Sequence, residues 1–206
     1  MKTPIEELLA VAIGLVNAGQ RERARLVCDK AVADWPAHPA IHQLLAFLDL
    51  QAGDATGARR HADLSLSLRP DHVPTLFVAG EAALALRDPA GAARAHGRAV
   101  ALAPGHVDAW FSLSQALHDL RDLAGAEAAL QRVLALKPDR ADALVNLGIL
   151  LQEQGRVDDA LRAYGRAYRL REETFGRIAH ALATPGVGRL WLRLDDLRAE
   201  LRALAD

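Results

Sequence analysis

Four prolines, at 36, 70, 104 and 138, stand 34 residues apart, and the text around each recurs as AVADWP, LSLRP, AVALAP and VLALKP. Glu172, in RLRE, takes the next place in the series without the proline. A fixed period of this length means that one supersecondary unit is repeated along the chain, which excludes folds built around a single central core. With the proline slot counted as position 32, the units run 5–38, 39–72, 73–106, 107–140 and 141–174, and no insertion interrupts them.

Other columns keep the same step. Position 20 is Ala24, Ala58, Ala92, Ala126 and Ala160; position 27 is Ala31, Ser65, Ala99, Val133 and Ala167; position 8 is Ala12, Ala46, Gly80, Ser114 and Gly148. Small residues at fixed places let two helices cross closely, because a larger side chain would hold the axes apart. Larger apolar residues fall between them at helical spacing, as with Leu113, Leu117, Leu130 and Leu134. Gly19, Gly53 and Gly155 at position 15 mark a turn between two helices where positive φ is tolerated, and the proline ends the second helix. Composition agrees: alanine fills 42 of 206 positions while aromatics make up only 4%, so helix formers outweigh strand formers. The expected fold class is all-α.

These columns resemble the tetratricopeptide repeat, which has a bulky residue at position 4, Leu at 7, a small residue at 8, Ala at 20, an aromatic or Leu at 24 and Pro at 32. HVDAWFSLSQALHDLRDLAGAEAALQRVLALKP matches best, through Trp110, Leu113, Ala126, Leu130 and Pro138. The fifth unit matches through Leu144, Leu147, Gly148, Gly155, Ala160, Tyr164 and Ala167, while His42, Ala62 and His96 occupy usually bulky columns in the looser early units. The resemblance implies a right-handed α-solenoid of five helix-turn-helix units over residues 1–174. Each unit depends on its neighbours to bury its apolar face.

After Thr174 the pattern fades. Residues 175–206 are expected to cap the solenoid. A helical stripe of Phe175, Ile178 and Leu182 comes first, then an extended stretch over 188–194, in which Leu190, Leu192 and Leu194 alternate with Arg189, Trp191 and Arg193. A short helix follows, capped by Asp195 and carrying Leu197, Leu201 and Leu204. The tail reads either as a cover for the last repeat or as an exposed strand able to pair with a partner or a second copy.

The family resemblance implies that the first helix of each pair lines a concave surface through positions 2, 5, 9, 12 and 13. Those columns hold six acids, Glu6, Glu81, Asp108, Asp119, Asp142 and Glu153, and no Lys or Arg. Three of the four phenylalanines, Phe47, Phe77 and Phe111, fall there too. The expected groove is apolar along its middle and acidic at its margins, with arginines gathered on the second helices. Its candidate contact residues are Phe47, Phe77, Glu81, Phe111, Gln115, Asp142 and Ile149. Such a groove suits a peptide or helix with apolar anchors and basic character. It does not suit nucleic acid, whose phosphates the acids would repel, and the net charge of −1 removes the basic footprint such binding needs. The phenylalanines could instead be covered by the chain's own tail.

Little else carries chemistry. His38, His72 and His106 also recur 34 apart, just before first helices, which points to a structural role at repeat junctions or to weak pH sensitivity. Neighbouring repeats lie about 8–10 Å apart, too far for one metal ion to touch all three. Cys28 sits in a core column, where a thiol is inert. No catalytic or nucleotide-binding motif is present, so no enzyme activity, metal or cofactor is expected. Leu8 to Val16 has the apolarity of a signal-peptide core, but Glu6 and Glu7 precede it where basic residues belong. No run reaches the ~18 apolar residues of a membrane span. A cytoplasmic, non-catalytic interaction module (adaptor, assembly factor or chaperone) is the expected function; the alternative is a self-associating scaffold whose tail docks on another copy.

Overall fold

The computed structural model describes residues 4–183 and 194–204, which form α-helices, one 3₁₀ turn and no strand. The chain divides into two compact units, Met1–Ser112 and Leu113–Asp206, with the division inside helix α7 (Val107–Asp119).

The first unit contains three helix-turn-helix pairs: α1 (Ile5–Asn17) with α2 (Arg21–Asp34), α3 (Pro39–Gln51) with α4 (Ala55–Leu68), and α5 (Val73–Ala85) with α6 (Pro89–Leu102). Each pair packs on the next through its second helix, α2 on α3 and α4 on α5, while α1, α3 and α5 lie side by side. This is the solenoid arrangement. In the second unit α8 (Leu123–Leu136) packs on α9 (Ala141–Glu153), and α9 pairs with α10 (Val157–Leu170).

The small-residue columns explain how the pairs close. All five alanines of position 20 are completely inaccessible to solvent. At position 8 the backbone itself is the packing surface: a Cβ on Gly80 would stand 2.4 Å from the His96 ring, and one on Gly148 2.3 Å from the Tyr164 ring. Where position 24 carries a ring, position 8 is therefore glycine; where it carries Cys28, Ala62 or Leu130, position 8 is Ala12, Ala46 or Ser114. His96 is a true occupant of the aromatic slot.

The turns and ends follow from local chemistry. Gly19, Gly53 and Gly155 have φ of 72°, 82° and 78°, but Arg87 and Arg121 take φ of 59° and 62° at the same repeat position. The left-handed turn is thus more general than the glycines indicate. Asp54, Asp88 and Asp122 cap α4, α6 and α8 by accepting hydrogen bonds from the backbone N–H of Gly57, Gly91 and Gly125. Second helices end two residues before each proline. The intervening residues Trp35, Arg69, Ala103 and Lys137 leave the helical region, which a following proline favours, and Arg171 leaves it at the same place before Glu172.

Glu172 brings no proline, and the chain passes through a 3₁₀ turn, Glu172–Thr174, directly into α11 (Phe175–Leu182). Helix α11 packs on α9, and α12 (Leu194–Ala203) packs on α10. Ile178, Leu182, Leu197 and Leu201 are buried there against Leu144, Leu161, Tyr164 and Tyr168. The expected extended stretch 188–194 lies outside the described residues except at its end. Leu194 is not extended: it opens α12, which puts Asp195 and Asp196 in the first turn of that helix.

Candidate functional site

The first helices of the first unit enclose a concave apolar cleft of about 520 Å³. Helix α1 contributes Leu9, Ile13, Val16 and Asn17; α3 contributes Ala40, Gln43, Leu44 and Phe47; α5 contributes Val73, Pro74, Phe77 and Val78; His106 completes the wall. Most of these lie in columns 2, 5, 9, 12 and 13, because residues at those spacings share the helix face turned away from the second helices. No charged residue lines the cleft. Ile13 is 47% exposed, an aliphatic side chain left in solvent.

Phe77 is held from two sides. Its ring stacks on His106 at 5.0 Å between centroids and meets the edge of His96 at 5.5 Å. His106 is itself anchored, since its Nδ1 accepts a 3.1 Å hydrogen bond from the backbone N–H of Ala109. An imidazole thereby does the work of a capping oxygen and places its ring against the cleft. His72 occupies the matching place before α5, with Nδ1 2.8 Å from Thr75 Oγ1. Burial, helped by Arg69, lowers its pKa below the ordinary imidazole value and favours the neutral form.

Of the residues anticipated from sequence, Phe47 and Phe77 come together in the cleft. Glu81 and Phe111 belong to the same unit but lie outside the cleft lining. Gln115, Asp142 and Ile149 belong to the second unit, where Gln115 is exposed and Ile149 packs beside the core around Leu144.

The acids are less free than their columns implied. Glu81 accepts a 2.6 Å hydrogen bond from Ser112 Oγ and lies 3.3 Å from Nε2 of the fully buried His96, a polar contact without hydrogen-bond alignment. Burial pushes the Glu81 carboxyl up, yet His96 and Ser112 outweigh it and hold the group below its usual range. In the second unit Asp142 pairs with Arg140 at 3.1 Å, and Glu153 with His118 and Arg121 at 2.9 and 2.7 Å. Their partners come from other columns, which a column-by-column reading separates.

Sequence reasoning missed Leu44, Val73, Val78 and His106 as cleft residues. The 34-residue recurrence of histidine before a first helix was the available signal for His106. Cys28 is buried in the core of the first unit, and burial pushes its thiol up to about 11, which leaves it protonated and unreactive. Among the described residues no three His, Cys, Asp or Glu side chains are grouped so as to hold a metal ion, and no helix is long and apolar enough to cross a membrane.

Two family models of the tetratricopeptide repeat match the sequence, one over residues 77–141 and the other over residues 140–181. The crystal structure of YrrB, described as a tetratricopeptide repeat protein with an unusual peptide-binding site, has a TM-score of 0.78 at 20% identity, covering 84% of this chain and 89% of that one. MamA from Desulfovibrio magneticus RS-1, from residue 41 to its end, has a TM-score of 0.75 at 19% identity, covering 82% and 95%. At these identities the likeness is one of fold. A probable biofilm formation methyltransferase of Pseudomonas putida, WspC, is 36% identical over 70 residues, which are 34% of this chain and 16% of that protein. The match thus spans about a sixth of that relative's length.

Proposed function

The chain belongs to the tetratricopeptide repeat family, and from that premise we propose that the cleft of its first unit docks a segment of another protein. The family and fold support a non-catalytic interaction role. The observation that carries the site is the uncharged apolar cleft, with Ile13 exposed and Phe77 braced between two imidazoles. Exposed aliphatic surface beside a rigid aromatic ring is what an apolar anchor residue needs, because it gains burial without first disturbing the receptor. The ligand is a helix or extended peptide with apolar anchors. Its flanks carry basic residues, favoured by the exposed Glu6 of α1 and by the absence of Lys and Arg from α1, α3 and α5. Phe47 and Phe77 are its central contacts, and Glu81 and Phe111 of the same unit are secondary; Gln115, Asp142 and Ile149 belong to the second unit and are not part of this cleft.

Selection from a peptide library tests the reading. Recovered peptides are expected to carry bulky apolar residues beside Lys or Arg and to shift the NMR signals of Leu9, Phe47 and Phe77. Ile13→Asp puts a charge into the exposed part of the cleft without touching the core, and is expected to weaken these peptides at least about tenfold. Peptides that bind Ile13→Asp as tightly as the parent protein place docking elsewhere.

A further inference from the structure

The first unit holds a second histidine pair, away from the cleft, whose hydrogen bonds run in a single direction. His42 on α3 and His61 on α4 stack at 5.3 Å between ring centroids, with their Nδ1 atoms 3.1 Å apart. His42 Nε2 lies 2.7 Å from the carbonyl oxygen of Pro36, in the connection between α2 and α3. A carbonyl only accepts, so His42 carries its hydrogen on Nε2 and its Nδ1 is a bare acceptor. His61 must then donate from Nδ1, which leaves its own Nε2 bare. That nitrogen faces Nη2 of Arg60 at 3.2 Å, and a guanidinium only donates. Every partner fits one assignment: Arg60 donates to His61, His61 to His42, and His42 to Pro36. The chain forms only while both imidazoles are neutral: a further proton on His61 would occupy the nitrogen that accepts from Arg60, and one on His42 would oppose two N–H groups across the 3.1 Å contact.

The surroundings provide a second state. Asp49 on α3 is buried, and its Oδ2 has no hydrogen-bond partner although it lies only 3.9 Å from His61 Nε2. A protonated His61 would repel Arg60 and be drawn towards this oxygen, which breaks the donor chain at its Arg60 end. The other charges around the pair are Arg25 on α2, paired with both Asp49 and Asp29, and Arg60 itself. Elsewhere on α4, Arg59 and Asp63 pair with each other. Just before α5, His72 is engaged with Thr75, and on α5 Glu81 is engaged with Ser112 and His96; on α1, Glu6 and Glu7 are exposed.

We propose that His42 and His61 form a proton-sensitive latch whose donor chain, complete from Arg60 to Pro36 in neutral solution, fastens α4 to α3 and to the α2–α3 connection, and that mild acid breaks this chain and weakens the fold. The direction of titration agrees: burial, with Arg60, His42 and Arg25, lowers the pKa of His61 against the opposing pull of Asp49. A group lowered on folding stabilises the fold fully above its unfolded value near 6.5, and that contribution is lost as pH falls through the lowered folded value. The latch does not depend on what the cleft binds.

Long-range 1H–15N NMR of the full chain at pH 7.5 reads the chain of donors directly. The expected result is the Nδ1–H tautomer for His61 and the Nε2–H tautomer for His42; finding both rings as Nε2–H overturns the proposal. Melting from pH 7.5 to 5.5 supplies the second readout. The parent protein is expected to lose at least about 3 °C more in Tm than H42L/H61L, which replaces both rings and strands only the exposed Arg60 and Pro36. Parallel curves for the two proteins overturn the latch. The NMR result decides alone if the double variant does not fold.

Discussion

Arg87 holds, with an ordinary side chain, the backbone conformation that Gly19, Gly53 and Gly155 hold at the matching turn. A Cβ at positive φ crowds the following carbonyl and costs about 1–2 kcal/mol, whereas glycine avoids that strain but loses more chain entropy on folding. The first effect is the larger. Arg87→Gly is therefore expected to stabilise the protein by about 0.5–1 kcal/mol, read as a higher urea midpoint with an unchanged slope. An unchanged or lower midpoint would mean that the Arg87 turn is not strained. Arg121 is a poorer test of the same point because its guanidinium also pairs with Glu153.

At the scale of a helix pair, the distance between axes is set by what stands at positions 8 and 24. Gly148 meets Tyr164, whose ring is buried and whose hydroxyl donates to Gln152 at 3.1 Å, so the ring cannot easily step aside. Burial and the neighbouring Glu153 raise the Tyr164 pKa, which keeps that donor protonated. Gly148→Ala gains about 1 kcal/mol of helix propensity but forces a methyl group into the ring, and overpacking of this kind costs about 1–3 kcal/mol. The net expectation is a loss of stability. Gly97, inside α6, has open space where its Cβ would be, and Gly97→Ala should keep the propensity gain. Opposite shifts in Tm for the two variants would confirm that close approach, rather than helix propensity, dictates glycine at position 8; shifts of the same sign would refute it.

For the molecule as a whole, the C-terminal helices behave as part of the second unit's core. Arg202 of α12 lies over the Tyr168 ring and pairs with Glu172 at 2.9 Å, and Arg198 lies 4.2 Å from the centroid of Phe175. Ile178, Leu182, Leu197 and Leu201 are almost wholly inaccessible, and each such side chain contributes about 1.5–3 kcal/mol by burial. Together they rival the net stability of a domain, about 5–15 kcal/mol. A chain ending at Thr174 should therefore melt at lower temperature and self-associate in sedimentation, through the apolar surface that α11 and α12 cover. If it melts like the full chain and sediments as the same species, those helices are not stabilising the unit. Burial of Leu197 and Leu201 against the chain's own α10 also leaves little of the α12 apolar face for a second copy, so the self-docking reading of the tail gains no support from this helix.

The sequence by itself determined the period, the helix class and the contact columns. Each of these rests on interactions within a few residues or on a spacing repeated five times, as the buried alanines from Ala24 to Ala160 illustrate. The face that carries Leu9, Ile13, Phe47 and Phe77 was legible for the same reason, because helical periodicity groups them. Only the tertiary structure decided which partners the polar groups find. His106 reaches Phe77, His61 reaches His42 from 19 residues away, and Glu153 finds its partners in His118 and Arg121. Such contacts depend on how one helix is rotated and offset against the next, and side-chain packing sets that offset. A column of residue types records what stands at each place but not what it faces.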